Sequence, residues 1–96
     1  MNMQTKVLAE LERLTTEAGL DFVDNRDWAN TGHIYVQRGF DPLLHVAYDF
    51  QSRYCTLRLT PVNGSEVRVA VEYEARGINS LAKALDTFQH LVKNLP

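Results

Sequence analysis

"LLHVAYDFQSRYCTLRLT", residues 43–60, is the stretch that decides the fold. Leu44, Val46, Tyr48 and Phe50 alternate with His45, Ala47, Asp49 and Gln51, the period of a half-buried strand. Beyond Ser52-Arg53 the alternation resumes, with Cys55, Leu57 and Leu59 set against Tyr54, Thr56, Arg58 and Thr60. Residues opposed across an antiparallel pair share a face, so parity constrains the turn. A two-residue turn at Ser52-Arg53 sets Phe50 against Cys55 and Val46 against Leu59. Leu44, Val46, Tyr48, Phe50, Cys55, Leu57 and Leu59 then point the same way.

The same test extends outward. "HIYVQR" precedes this hairpin and "EVRVAVEYE" follows it. A loop at Gly39-Phe40-Asp41 sets Ile34 opposite Val46. A three-residue loop at Val62-Asn63-Gly64, with Gly64 left-handed, sets Leu59 opposite Val67 and Leu57 opposite Val69. A two-residue Asn63-Gly64 turn would put Thr60 opposite Val67 and break the pattern. The predicted inward face is Ile34, Val36, Leu44, Val46, Tyr48, Phe50, Cys55, Leu57, Leu59, Val67, Val69 and Val71. "GLDFVD" reads as a further short strand, which either joins the sheet edge or pairs with another chain.

Helical periodicity flanks the strands. Over residues 3–18, Val7, Leu8, Leu11, Leu14 and Ala18 form one apolar stripe, and Gly19 stands where a left-handed residue ends a helix. Over residues 78–94 the stripe is Leu81, Leu85, Phe88, Val92 and Leu95, with Asn79 or Ser80 as the expected cap. Both stripes need a partner, and the inward sheet face is the available one. The expected fold is a single α+β domain over all 96 residues, a two-layer sandwich in α-β-β-β-β(-β)-α order. Its antiparallel sheet has four to five strands, with both helices packed on one face.

The opposite face then has no intrachain cover. Its expected rows are Tyr35, His45, Thr60 and Glu66, then His33, Ala47, Arg58 and Arg68, followed by Asp49, Thr56 and Ala70. Gln51, Tyr54 and Glu72 complete it. Arg58 opposite Arg68 is unfavourable unless an anion or a carboxylate lies between them. Asp49, Glu66 or Glu72 would supply that carboxylate from within the chain.

Bulk properties narrow the function classes. A net charge of −2 argues for neither nucleic-acid nor membrane affinity. No apolar run is long enough to span a bilayer, and "MNMQTKVLAELERL" has no secretory apolar region. Cys55 is the only cysteine, which precludes an intrachain disulfide and fits a cytoplasmic protein. No phosphate loop, dinucleotide fingerprint or paired-cysteine motif is present. His33 and His45 fall in adjacent rows, yet no ligand spacing accompanies them, so no metal and no cofactor are expected. Cys55 on the inward face is expected to be a core thiol rather than a nucleophile.

"DNRDWANTGH" contains the only tryptophan, Trp28, in a polar loop. Such a residue either anchors an interface or folds back over the core. The expected function is a non-enzymatic interaction module, an adaptor or a small inhibitor of the kind phages and other mobile elements encode. It would bind a protein partner, or a second copy in a homodimer, through Trp28, Tyr35, His45, Tyr54, Arg58 and Arg68. The alternative is a single-stranded nucleic-acid binder, its bases stacked on the tyrosines and its phosphates met by the arginines. The acidic balance and lack of a basic cluster weigh against it.

Overall fold

In the computed structural model, residues 3–63, 66–67, 71–76 and 78–95 are described. Helix α1 (Met3–Glu17) is followed by strands β1 (Asp21–Arg26), β2 (Thr31–Arg38), β3 (Asp41–Phe50), β4 (Cys55–Asn63), β5 (Glu66–Val67) and β6 (Val71–Ala75). Helix α2 (Ile78–Lys93) closes the order. The sheet runs β1-β2-β3-β4, and both β5 and β6 pair with β4; all pairings are antiparallel. The "GLDFVD" segment therefore joins the sheet edge, through β1 on β2. No helix among the described residues is long and apolar enough to cross a membrane.

Both helices lie over one face. Val7, Leu8, Leu11 and Leu14 of α1 and Ala84, Phe88 and Val92 of α2 share one core with Ile34, Val36, Leu44, Val46, Tyr48, Phe50, Cys55, Leu57 and Leu59. This is the face that strand parity requires. Of the remaining expected inward residues, Val69 lies outside the described residues.

The end of α1 shows why a glycine follows it. Gly19 takes φ +76°, in the left-handed region. The Leu20 N–H then reaches the Thr15 carbonyl at 3.1 Å and the Gly19 N–H the Thr16 carbonyl at 3.0 Å. This is the paired closure of a Schellman motif, and it leaves Leu20 buried against the core. At α2 the helix starts at Ile78, so Asn79 and Ser80 lie in its first turn instead of capping it.

Two hairpins differ from the expected loops. The middle one is as predicted, with Phe50 opposite Cys55. In the first, Arg38 pairs with Asp41, leaving Gly39-Phe40 as a two-residue turn, with Gly39 at φ +63°. The register shifts between Val36, which pairs with Leu44, and Gln37, which pairs with Pro42. Leu43 is the residue left over, and this bulge buries it next to Leu44. In the last hairpin β4 runs on through Pro61 to Asn63, which pairs with Glu66. Leu59 consequently faces Val71 instead of Val67, and Leu57 faces Tyr73 instead of Val69.

One side chain bridges three strands. Tyr48 on β3 is paired with Gly32 on β2, and its hydroxyl donates to Asp24 Oδ1 on β1 at 2.8 Å. Burial first, and the Asp24 hydrogen bond second, raise the Tyr48 pKa above the usual tyrosine value. Gly32 makes the crossing possible: a Cβ there would stand 2.7 Å from Tyr48 Cζ and 2.8 Å from the Asn25 carbonyl oxygen. Gly32→Ala is therefore expected to destabilise the fold by about 1–3 kcal/mol, the usual cost of overpacking. Urea unfolding measures it, and a loss no larger than that of an exposed helix substitution such as Lys83→Ala would refute the crowding argument.

Candidate functional site

Among the described residues no element covers the sheet face opposite the helices, and its central cross-strand rows carry the candidate side chains. These rows are Val23, Tyr35, His45 and Thr60; then Asn25, His33, Ala47, Arg58 and Glu72; then Thr31, Asp49, Thr56 and Glu74. Arg58 is thus opposite Glu72 and not Arg68, which corrects the expected like-charge pair. The slide of the last strand carries a carboxylate into the place assigned to the arginine. Glu66 likewise pairs with Asn63 and does not complete the first row. Arg68 and Ala70 lie outside the described residues.

The rings on this face are stacked against one another. His33 and His45 lie 5.0 Å apart between centroids at 16°, and Tyr35 covers the same His45 at 5.0 Å. His33 Nδ1 is 2.9 Å from His45 Nε2, while His33 Nε2 is 3.2 Å from Asp27 Oδ2. This is a chain of carboxylate, imidazole and imidazole. With the Asp27 carboxylate accepting at Nε2 of neutral His33, Nδ1 of that ring accepts from His45 Nε2–H. The Nδ1 of His45 is then left with its lone pair. Because Asp27 sits on the far nitrogen of His33, the three groups do not converge on one ion. Among the described residues no cluster of three metal-ligating side chains is found.

His45 also lines an open depression of about 390 Å³, together with Tyr35, Pro42, Arg58, Thr60 and Val62. Burial first, then unfavourable electrostatics with His33 and Arg58, hold the His45 imidazole below the ordinary histidine pKa of 6.5.

The other expected contact residues are not gathered here. Tyr54 stands at the β3–β4 turn, where the Arg76 guanidinium lies over its ring at 5.1 Å; Arg76 in turn pairs with Glu74. Trp28 is 76% exposed, so it does not fold back over the core. Its loop is nonetheless fixed. The Asp27 and Trp28 N–H groups both donate to the Thr31 carbonyl, at 3.0 and 3.2 Å. The Phe50 N–H reaches the Asn30 carbonyl at 2.8 Å, and Asn30 Nδ2 donates to the Phe50 carbonyl at 2.8 Å. Gln4 Nε2 of α1 donates to the Ala29 carbonyl at 2.9 Å. Cys55 lies within the core with no exposed surface.

Sequence reasoning passed over Asp27, Pro42, Thr60 and Val62. Thr60 stood in the expected first row beside His45, which was a usable signal. Asp27 carried none, because its meeting with His33 depends on the turn that folds residues 27–30 back on Thr31. Comparison with protein-family models, with curated proteins and with solved structures finds no match to this chain.

The position of His45 sets a pH dependence. Between the ordinary histidine value and the lower value in the folded state, the unfolded chain holds a proton that the folded chain does not. Stability should therefore fall as the pH drops through that window. Urea unfolding at about pH 7 and about pH 5 should show a smaller acid loss in His45→Gln than in the wild type. An equal loss in both would mean that His45 does not contribute to it.

Proposed function

We propose that this chain is a non-enzymatic protein-interaction module, an adaptor or a small inhibitor, docking a protein partner through the open sheet face and the Trp28 loop. The observation that carries this reading is Trp28 itself. Its ring is 76% exposed on a loop whose backbone is hydrogen-bonded to β2, β3 and α1. A large aromatic held outward on a fixed support is the geometry of an interface anchor, since little ordering entropy remains to be lost on binding. Asp27, one residue earlier, reaches His33 and so joins this loop to the uncovered face. Phe40 is also fully exposed, but it sits at the other end of β2 and belongs to a separate patch.

The ring geometry favours a protein over a single-stranded nucleic acid. Base stacking needs free aromatic faces. Here Tyr35, His45 and His33 lean on one another, and Arg76 lies over Tyr54. The net charge of −2 adds no general pull on phosphates. A second copy of the chain is one candidate partner, because β1 pairs with β2 alone and so has an open outer edge among the described residues. The single cysteine fits a cytoplasmic setting.

Immobilised chain should capture its partner from a cell extract, with identification by mass spectrometry and a parallel solution-mass measurement for self-association. Trp28→Ala and Arg58→Glu should each weaken capture or self-association by at least about tenfold, while Lys83→Ala on the exposed side of α2 should not. Unchanged binding by both face variants would remove the proposed surface. Tight oligonucleotide binding that collapses with added salt would replace it with the nucleic-acid reading.

A further inference from the structure

The depression beside His45 has a lopsided chemistry. Tyr35, Pro42, His45, Arg58, Thr60 and Val62 line it, and no carboxylate is among them. The carboxylates of the same face are mostly engaged elsewhere. Asp27 meets His33, Asp49 Oδ1 accepts from Gln51 Nε2 at 2.6 Å, and Glu74 pairs with Arg76. Glu72 lies opposite Arg58 in the ladder, yet no ion pair joins them, and among the described residues Arg58 forms none. The Arg58 side chain instead borders the depression with His45, where its charge is felt by the imidazole.

We propose that this depression receives a carboxylate side chain, Asp or Glu, from the protein partner, flanked by an apolar residue that packs on Tyr35, Pro42 and Val62. The proposal rests on the docking reading above and names what the face recognises. Arg58 supplies a charge-assisted hydrogen bond, and Thr60 and Tyr35 offer hydroxyl donors. His45 adds a proton-linked contact. Its Nε2 is engaged by His33, and its Nδ1 has no partner among the described residues. The groups that face it are His33 and Tyr35 from β2 and Arg58 and Thr60 from β4, with Asp27 behind His33 and Glu72 beyond Arg58. An incoming carboxylate offsets the charge of Arg58, so Nδ1 gains a proton as the ligand arrives. Affinity should therefore rise as the pH falls toward the lowered His45 value of the free fold, which lies below the ordinary 6.5.

Two capped dipeptides test this, N-acetyl-leucyl-glutamate amide and its glutamine counterpart, titrated into isotope-labelled full chain and followed by amide and imidazole NMR shifts. The glutamate peptide should give saturable shifts at Tyr35, His45, Arg58 and Thr60. The glutamine peptide, or the glutamate peptide with Arg58→Gln, should bind about tenfold more weakly, the loss of one charge-assisted contact. Lowering the pH should tighten the glutamate peptide on wild-type chain and not on His45→Gln. Equal shifts from the two peptides, or none that saturate, overturn the carboxylate site, and the peptide comparison needs no variant to fold. If Trp28→Ala still impairs partner capture in that case, the docking reading survives and only its carboxylate ligand is lost.

Discussion

The alternation of side chains across the β3–β4 hairpin is the constraint on which the rest of the structure depends. Two residues in the turn, and Phe50 set against Cys55, put seven apolar side chains of two strands on one face: Leu44, Val46, Tyr48, Phe50, Cys55, Leu57 and Leu59. β2 adds Ile34 and Val36 to that face, and the two amphipathic helices have nowhere else to bury their stripes. A one-residue slip anywhere in this hairpin would turn the core outward. The bulge at Leu43 respects the same constraint, since it lies beyond the last inward pair and adds to the core without reversing it.

Placing both helices on one side gives the sheet two unlike faces. The covered face is apolar and is crossed at one end by Tyr48, which passes over Gly32 to reach Asp24. The uncovered face has aromatic, basic and acidic groups in contact, and it organises them. Tyr35, His45 and His33 form a short column of rings, Asp27 fixes one end of it, and Arg58 stands beside the other. The protein-docking function proposed for this chain draws on that face and on the neighbouring Trp28. The loop bearing Trp28 shares backbone hydrogen bonds with β2 and β3, so the tryptophan and the ring column are held by one scaffold.

The sequence was informative wherever periodicity alone decides. The stripe Val7, Leu8, Leu11 and Leu14, the left-handed Gly19, the turn at Ser52-Arg53 and the inward set of β2, β3 and β4 follow from repeats of 3.6 and 2 and from local turn chemistry. The two-sided character of the sheet follows too. Tyr35, His45 and Arg58 were legible as residues of the open face for the same reason.

Periodicity does not fix how far one strand slides along another. Moving the last strand so that Leu59 meets Val71 rather than Val67 preserves the assigned side for residues 71–74 and replaces an arginine pair with Arg58 opposite Glu72, whereas Val67, paired with Val62, takes the opposite parity to the one assigned. The bond between Asp27 and His33 and the outward Trp28 depend on how the β1–β2 turn folds back on Thr31 and Phe50, a matter of contacts distant in sequence. Sidedness was thus written in the chain as a local period. Partner identity across the sheet, and with it the chemistry of the open face, was decided only when the strands met, because register is set by long-range packing that no local repeat encodes.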